Sequence, residues 1–350
     1  MKIALLTIWH EKNYGAELQA YATIKILQEL GHEVKMINIR LSDCRKGNLN
    51  QKIYNIICNF TPGHRKFSNF WNKYIPVTRR YKTVEQLQKN PPKADLYIVG
   101  SDQVWNPELT KEFSLLYFLN FAELSTKRIS FASSFGSSTW KYPELKQQVK
   151  QLLNKFSYLT CREKSGVELL KNEFGIESTN VVDPTLLLGN YIDLVPTIQQ
   201  KDTLVYYPLG ADMELENNAI RLANDLNLTP IKNNDRTILP GGLEWNRVGI
   251  EEWIKNIAES NFVLTRSFHG LVFSLLFHRQ FAIIASPNGR NNRITDLLCL
   301  LGLSERFYDS FETLYKSKHW SVKINYEEVD KKLDRLRKES INELKTALNS

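Results

Sequence analysis

The first forty residues constrain the fold of this 350-residue chain more than any other segment. KIALLTI, residues 2–8, is a continuous apolar run, which gives way to the polar and glycine-containing segment Asn13–Gly15. Apolar residues then recur at helical spacing over residues 18–31, and HEVKMINIR, residues 32–40, has the pattern of a second strand. Strand, loop, helix and strand over this length predict a βαβ unit and therefore a parallel sheet with crossover helices.

Similar patterns continue along the chain. ADLYIVG at residues 94–100 and RISFASSFG at residues 128–136 predict buried strands followed by polar loops. A second series of strands and helices begins near residue 180, and residues 326–350 predict a long amphipathic terminal helix. We therefore predict an α/β fold with two domains, residues 1–180 and residues 181–350, that face each other across a cleft.

Composition and charge limit the partners. The net charge of +8 favours anionic partners, but Lys and Arg are scattered, so nucleic acid is not predicted as a partner. The four cysteines lie far apart without a CxxC pair, which favours reduced thiols. We find no signal-peptide pattern at the N-terminus and no apolar run long enough to span a bilayer. These features predict a cytoplasmic protein, with peripheral contact to the inner face of the cell membrane as a second expectation.

The turn around Asn13 and Gly15 is the first candidate site. It lies between a predicted strand and a predicted helix, where the free N–H groups and the dipole of a helix attract anions. The alternative is a tight βα turn in which Asn and Gly serve only the backbone conformation. Both interpretations stay open from the sequence.

The segment GSDQVWNP, residues 100–107, is a second candidate. It places hydroxyl, carboxylate, amide and indole groups directly after a predicted buried strand, as in surfaces that bind carbohydrate or another small polar ligand. Asp102 is the candidate general base in this segment. The alternative is that Asp102 caps a helix and Trp105 lies in the core.

Arg162 is a third candidate because it stands at the end of an apolar strand pattern, next to Glu163. A guanidinium at this place can hold phosphate or carboxylate through paired hydrogen bonds. A structural ion pair with Glu163 is the alternative.

The segment TRSFHG, residues 265–270, gives the sharpest pattern. Arg266, Ser267 and His269 gather in a predicted strand-to-helix turn that leads into the apolar run GLVFSLLF. A buried helix that begins with these groups is a candidate anion site containing a titratable side chain, and a structural histidine is the alternative.

Downstream, Arg290 and Arg293 precede a predicted helix and are candidates to complete the anion pocket or to be solvent-exposed charges. No metal-ligand spacing is present, so no metal is predicted.

Seven segments, taken in order, resemble the motif series of the polysaccharide pyruvyltransferase family over residues 1–305. They are NYGAELQAYA, DLYIVGSDQVWNP, SFASSFG, REKSGVELL, VVDPTLLL, SFHGLVFSLLF and NNRITDLLCLLGL. The resemblance implies two Rossmann-like halves arranged as in GT-B glycosyltransferases and phosphoenolpyruvate as the donor, without a further cofactor. It also implies an acceptor sugar in a bacterial surface polysaccharide, a capsule or exopolysaccharide, or in its lipid-linked precursor.

The resemblance assigns roles to two residues. Arg162 matches the arginine of the family element that pairs Arg with Glu or Asp ahead of a serine, and His269 matches the histidine of the C-terminal motif. Both are implicated in holding or activating the donor. This chain departs from relatives with Arg-Leu-His or Asp-Ser-Phe-His, because it has Ser267-Phe268-His269 preceded by Arg266.

The expected chemistry follows from phosphoenolpyruvate, whose methylene group must be protonated and whose two anionic groups need cationic donors. We expect His269 or a close neighbour to assist proton transfer. Donor-binding groups are expected at Arg162, Arg266, Ser267 and Arg293, with Asn13 and Gly15 as further binding residues and Asp102 as the acceptor base.

Two other functions stay open from the sequence. A GT-B glycosyltransferase that uses a nucleotide sugar has the same architecture, and a non-catalytic relative that binds anions or glycans keeps the same site. The basic and aromatic segment from Lys46 to Arg80 is predicted to meet a lipid-linked acceptor at the membrane, with a helical lid as the alternative.

Overall fold

The computed structural model describes the chain except residues 41–43, 45–55, 124, 209, 241, 288 and 290. Arg290 and residues 46–55 of the segment predicted to meet the membrane therefore lie outside the described residues. The chain divides into two compact units. The first comprises Met1–Lys52, Asn69–Leu188 and Leu336–Ser350, and the second comprises Ile53–Ser68 and Gly189–Arg335. The division differs from the two continuous domains predicted to meet at residue 180.

The strands of the first unit are β1 (Lys2–Leu6), β2 (Glu33–Ile39), β3 (Val77–Tyr81), β4 (Leu96–Val99), β5 (Lys127–Ser130), β6 (Thr160–Cys161) and β7 (Thr179–Asn180). Within the described residues, the first five form a parallel sheet in the order β3–β2–β1–β4–β5, and β6 pairs with β7 in parallel. The strand order reverses between β1 and β4, and open α/β sheets bind ligands at the carboxyl ends of the strands beside such a reversal.

Among the described residues, the helices with defined bounds up to residue 188 are α1 (Tyr14–Glu29), α2 (Pro62–Tyr74), α3 (Val84–Lys89), α4 (Pro107–Thr110), α5 (Pro143–Leu153), α6 (Lys164–Leu169) and α7 (Pro184–Leu188). A 3₁₀ helix covers Lys111–Phe118 and a π-helical turn covers Leu170–Phe174. The first half of α1 is buried on every side because it packs against both β2 and α7. A continuous apolar pattern is typical of such a helix.

The strands of the second unit are β8 (Thr203–Tyr207), β9 (Thr229–Lys232), β10 (Arg236–Ile238), β11 (Glu244–Arg247), β12 (Phe262–Thr265), β13 (Gln280–Ile284) and β14 (Phe307–Tyr308). Five of them form a parallel sheet in the order β14–β13–β12–β8–β9 among the described residues, while β10 and β11 form an antiparallel pair. Two parallel sheets with crossover helices confirm the predicted α/β class.

The remaining helices are α8 (Met213–Asp225), α9 (Ile250–Glu259), α10 (Phe268–Leu276), α11 (Asn292–Leu301), α12 (Phe311–Ser317) and α13 (Tyr326–Asn349). Short 3₁₀ turns cover Ser304–Arg306 and His319–Ser321. The residues from Gly270 to Leu275 of α10 are all buried, as the run GLVFSLLF predicts.

The terminal helix α13 explains part of the difference in domain boundaries. In its first half, Lys332 Nζ donates to Leu301 O at 2.7 Å, a contact within the second unit. Further along the helix, Arg337 Nε donates to Leu186 O at 2.8 Å, and Val182 N donates to Ser340 Oγ at 3.0 Å, both within the first unit. The terminal helix was predicted to belong wholly to the C-terminal domain, and these bonds show why its last turns belong to the first.

Candidate active site

The loops that follow β1 and β4 are tied together at the reversal point of the first sheet. Thr7 Oγ1 donates to Ser101 O at 2.5 Å, and Ser133 Oγ donates to Gly100 O at 2.8 Å. A Cβ atom at Gly100 would lie 3.1 Å from Thr7 Cβ, so a small residue is needed for this approach. The structure thereby brings the loops that contain Asn13 and Asp102 to the same edge of the sheet.

Asn13 caps α1, and its Oδ1 atom accepts hydrogen bonds from Gly15 N at 3.0 Å and Ala16 N at 3.4 Å. Two of the amide groups at the helix start are therefore satisfied by the cap itself. This geometry accounts for Asn13 and Gly15 through backbone conformation. A role of the two residues in ligand binding stays a prediction.

Asp102 lies at the carboxyl end of β4 with a φ of 76°, in the left-handed region that Asp tolerates better than most residues. Its Oδ1 atom accepts a hydrogen bond from Gln103 N at 2.8 Å, and 19% of its side chain is exposed. The neighbouring Trp105 is fully buried and stacks on Phe118 with centroids 5.6 Å apart. The prediction that the indole of this segment belongs to a ligand-binding surface was therefore wrong, because the ring of Trp105 packs among other aromatic rings in the core.

Arg162 is the centre of a buried ion cluster. Its Nη1 atom lies 2.8 Å from Asp183 Oδ2, and its Nε atom lies 3.1 Å from Glu163 Oε1. Asp102 Oδ1 lies 3.6 Å from Arg162 Nη2. Burial alone would lower the pKa of Arg162, but the three surrounding carboxylates raise it above its ordinary value. The predicted ion pair with Glu163 is present, and the side chain is 1% exposed.

Glu17 is a residue at the same edge that the sequence analysis missed. Its side chain is fully buried in the first turn of α1 and accepts a hydrogen bond from Trp71 Nε1 at 2.8 Å. Burial raises the pKa of Glu17 to about 7, although hydrogen bonds to the carboxylate act in the opposite direction. The only signal in the sequence was a carboxylate within an otherwise apolar helix pattern, and this signal does not identify its partners.

In the second unit, the turn between β12 and α10 forms the strand-to-helix passage that the sequence predicted. Ser267 caps α10, and its Oγ atom accepts a hydrogen bond from Gly270 N at 3.3 Å. Thr265 Oγ1 accepts from Ser267 N and donates to Tyr207 O, both at 3.0 Å. His269 is half-buried in the first turn of α10, directly after the cap.

Arg293 lies in the first turn of α11, and the structure brings it close to this turn. Its Cζ atom is 5.4 Å from the centroid of the Phe268 ring, and the ring of His269 meets the same phenyl ring edge-on at 5.4 Å between centroids. Phe268 therefore connects the candidate acid His269 to the candidate anion-binding Arg293. A charged group over an aromatic face is a favourable arrangement.

Arg266 is held within its own unit. Its Nε atom lies 2.8 Å from Asp212 Oδ2, and its Nη2 atom lies 2.7 Å from Glu214 Oε2. Its Nη1 atom also donates to Ala285 O. These partners account for three of the five N–H groups of the guanidinium. They fix Arg266 between α8 and β13, so its predicted contact with the donor stays a prediction.

The predicted site residues thus form two groups. Asn13, Gly15, Asp102 and Arg162 belong to the first unit, and Arg266, Ser267, His269 and Arg293 belong to the second. Across the described residues, no group of three or more His, Cys, Asp or Glu side chains is arranged to hold a metal ion. In the same part of the chain, no helix has both the length and the apolar character needed to cross a membrane.

The two parallel sheets, with strand-to-helix turns at their carboxyl edges, define an α/β protein of two Rossmann-like halves. The family model described as polysaccharide pyruvyl transferase matches residues 13–288, and the chain belongs to this family. The matched range contains seven of the eight predicted site residues, and Arg293 follows it. A search of curated proteins finds no match.

Solved structures with a similar fold include two UDP-N-acetylglucosamine 2-epimerases. The enzyme from Methanocaldococcus jannaschii is 13% identical, with 93% of each chain covered and a TM-score of 0.53. The enzyme from Rickettsia bellii is 10% identical, with 98% of this chain and 97% of that chain covered and a TM-score of 0.50. MnaA of S. aureus with UDP is 14% identical, with 100% and 97% covered and a TM-score of 0.50. At these identities the likeness concerns the fold alone, and it confirms the predicted GT-B-like class.

Proposed function

We propose that this family member transfers the pyruvyl group of phosphoenolpyruvate to two hydroxyl groups of one sugar. The product is a cyclic pyruvate ketal, and inorganic phosphate is released. The observation that carries the proposal is the α10 turn, where a half-buried histidine follows the helix cap and the guanidinium of Arg293 lies 5.4 Å from the ring of Phe268. Such a turn combines anion binding with a proton donor.

The donor has two anionic groups, and the α10 turn offers two sources of positive potential. One is the guanidinium of Arg293, and the other is the N-terminal end of α10 behind the Ser267 cap. Arg266 contributes in this proposal mainly by fixing the turn, because Asp212 and Glu214 already occupy two edges of its guanidinium.

His269 is the proposed acid. It donates a proton to the methylene carbon of phosphoenolpyruvate, which leaves an electrophilic centre at C2. A sugar hydroxyl then forms a bond to C2, and the bond from C2 to the phosphate oxygen breaks. A second hydroxyl attacks the same carbon and closes the ketal. Of the two hydroxyl protons, one is taken up by the acceptor base and released to solvent, from which His269 is reprotonated, and the other leaves with phosphate.

Asp102 is the proposed base for the acceptor. Of the carboxylates around Arg162, it is the most exposed, at 19% of the side chain against 7% for Glu163 and 0% for Asp183. The guanidinium of Arg162 lies on its buried side and holds it at the edge of the first sheet. Arg162 therefore acts as a positioning residue for Asp102 in this proposal.

The acceptor is proposed to be a sugar of a surface polysaccharide or of its lipid-linked precursor. We place the reaction in the cytoplasm, with peripheral contact to the inner face of the membrane when the acceptor is lipid-linked. The net charge of +8 supports binding of an anionic donor and of an anionic lipid surface.

The test incubates the purified protein with phosphoenolpyruvate and a panel of acceptor sugars, free and lipid-linked, and follows phosphate release and product mass. We expect phosphate in equal amount to a product heavier than the acceptor by pyruvic acid less one water. The His269→Asn variant is the matched control and should form both about 10²–10⁴-fold more slowly. Transfer from nucleotide sugars, with no reaction of phosphoenolpyruvate on any acceptor, would instead support a glycosyltransferase.

A further inference from the structure

A buried carboxylate at the start of α1 holds the loop that joins β1 to α1. All three hydrogen bonds described for the Glu17 carboxylate are accepted from N–H groups. His10 N donates to Oε2 at 3.2 Å, Glu11 N donates to Oε1 at 3.0 Å, and Trp71 Nε1 donates to Oε2 at 2.8 Å. One carboxyl group therefore connects two loop residues to the indole of α2.

The loop itself has a backbone that needs such support. His10 has a φ of 64° and Lys12 has a φ of 52°, a region that non-glycine residues rarely adopt. The His10 ring stacks on Trp71 with 3.5 Å between centroids and 24° between planes. Conformations of this kind persist where surrounding contacts determine them, and they concentrate at ligand sites.

The position of the loop connects this arrangement to ligand binding. The loop begins at Thr7, which is bonded to the loop after β4, and ends at Asn13, which caps α1. It therefore lies at the reversal point of the first sheet, where open α/β folds bind ligands. Glu17 itself is fully buried, so it influences a ligand through the loop and not by contact.

Protonation changes what Glu17 can hold. A carboxylate accepts all three N–H groups, whereas a carboxylic acid carries a proton on one of the oxygens that these groups face. At least one of the three bonds then weakens, and the loop loses part of its support, although burial of the carboxyl group itself favours the protonated form. Burial raises the pKa of Glu17 to about 7, so both forms are populated near neutral pH.

Among the residues that the structure describes, few charged groups act on Glu17. The Glu11 carboxylate of the loop opposes ionisation of Glu17, and the His10 imidazole stacks on the indole that Glu17 binds. Among the elements packed on α1, α7 has the sequence PTLLL without a titratable side chain, and on β2 Glu33 and Lys35 pair with each other at 3.1 Å. Asp183, just before α7, is paired with Arg162.

We propose that Glu17 is a positioning residue whose carboxylate fixes the β1–α1 loop when ionised and releases it when protonated. This change in the loop takes place in the protein without bound donor or acceptor, so the proposal goes beyond the transfer reaction. Asn13 and the residues before it move with the loop, and ligand affinity at this edge follows the protonation of Glu17.

The test records the indole N–H resonance of Trp71, assigned with Trp71→Phe, across the neutral pH range in the unliganded protein. Hydrogen exchange of the His10 and Glu11 amides, corrected for intrinsic rates, is measured in parallel. In the wild type we expect one titration near pH 7 and about tenfold stronger amide protection above it than below it. Glu17→Gln should remove both changes, whereas His10→Asn, which tolerates the same φ, should keep both.

Other outcomes are equally specific. An unchanged titration in Glu17→Gln overturns the proposal, and its loss in His10→Asn alone assigns the titration to His10. If Glu17→Gln does not fold, Trp71→Phe replaces it. Loss of one hydrogen-bond donor to the carboxylate should shift the pH at which amide exchange changes to a higher value. An unshifted transition in this variant overturns the proposal. A normal titration in a protein that never consumes phosphoenolpyruvate rejects only the proposed function.

Discussion

The guanidinium of Arg293 lies over the ring of Phe268, with Cζ 5.4 Å from the ring centroid. Phe268 directly precedes His269 at the start of α10, so one aromatic ring contacts both Arg293 of α11 and the candidate acid. Because a phenyl face attracts a cation, this ring restricts where the guanidinium can go. The proposed donor site therefore depends on Phe268 as well as on the charged residues.

We expect Arg293→Met to weaken phosphoenolpyruvate binding about tenfold, because one charge-assisted contact to an anionic group is lost. Since this contact exists before and after the chemical step, KM should rise while kcat changes little. Calorimetry with phosphoenolpyruvate measures the effect directly. Phe268→Tyr keeps the aromatic face and should bind like the wild type, whereas Phe268→Leu should reproduce part of the Arg293→Met loss. If all three variants bind phosphoenolpyruvate as tightly as the wild type does, Arg293 is excluded from the donor site.

His269→Asn is expected to lower kcat by about 10²–10⁴-fold, the usual contribution of a positioned general acid. Asn keeps a polar side chain of similar reach but cannot donate a proton at neutral pH, so donor affinity should stay within about threefold. Steady-state rates of phosphate release and calorimetry together separate the two quantities. A variant that folds and releases phosphate at the wild-type rate would exclude His269 as the acid.

Arg162→Met should destabilise the first unit by about 3–5 kcal/mol, because Asp183 and Glu163 would be left buried without their cation. Urea unfolding measures the loss, and adding Asp183→Asn should recover part of it, since one buried charge is then removed. The opposite pattern, near-normal stability with weakened phosphoenolpyruvate binding, would show that Arg162 grips the donor, as the sequence motif suggests.

Local patterns were enough to predict the βαβ start of the chain and the turn at residues 265–270. In both segments the strand, the cap and the helix are neighbours in sequence, so propensity and periodicity determine them. Contacts between distant residues were not predictable. Trp71 is 54 residues from Glu17, and the last turns of α13 bond to residues near 182–186, so neither the buried carboxylate nor the domain boundary could be derived from local patterns.

Trp105 shows a different limit of the sequence. Its polar neighbours gave it the pattern of a ligand-binding segment, and the alternative that it lies in the core was the correct one. An indole can serve either purpose, and the decision depends on whether aromatic partners such as Phe118 reach it in the folded chain. Phe118 comes from the 3₁₀ helix after α4, an irregular element without a clear periodic signal.

Gly270 should not tolerate alanine. A Cβ atom there would lie 2.7 Å from Thr265 Cγ2 and 3.0 Å from Thr265 Oγ1, so α10 would have to move away from β12. We expect Gly270→Ala to cost about 1–3 kcal/mol of unfolding free energy. Thr265→Ser removes the methyl group and keeps the hydroxyl that bonds to Tyr207 O, so the double variant should recover part of the loss. If the losses in unfolding free energy of Gly270→Ala and Thr265→Ser simply add in the double variant, the two side chains do not clash.

Glu17 should also make stability depend on pH. Its pKa rises from 4.5 to about 7 on folding because of burial, so between these values the unfolded chain releases its proton first. The contribution of protonated Glu17 to the free energy of unfolding is fully present below pH 4.5 and is lost as the pH rises through 7. The difference corresponds to roughly 3 kcal/mol.

Relative to the wild type, Glu17→Gln should therefore gain about this much unfolding free energy between pH 4.5 and 7, measured by urea unfolding. Glu11→Gln, a matched change on an adjacent carboxylate, should leave most of the wild-type slope in place. A pH-independent difference between Glu17→Gln and the wild type would show that Glu17 does not titrate in this range.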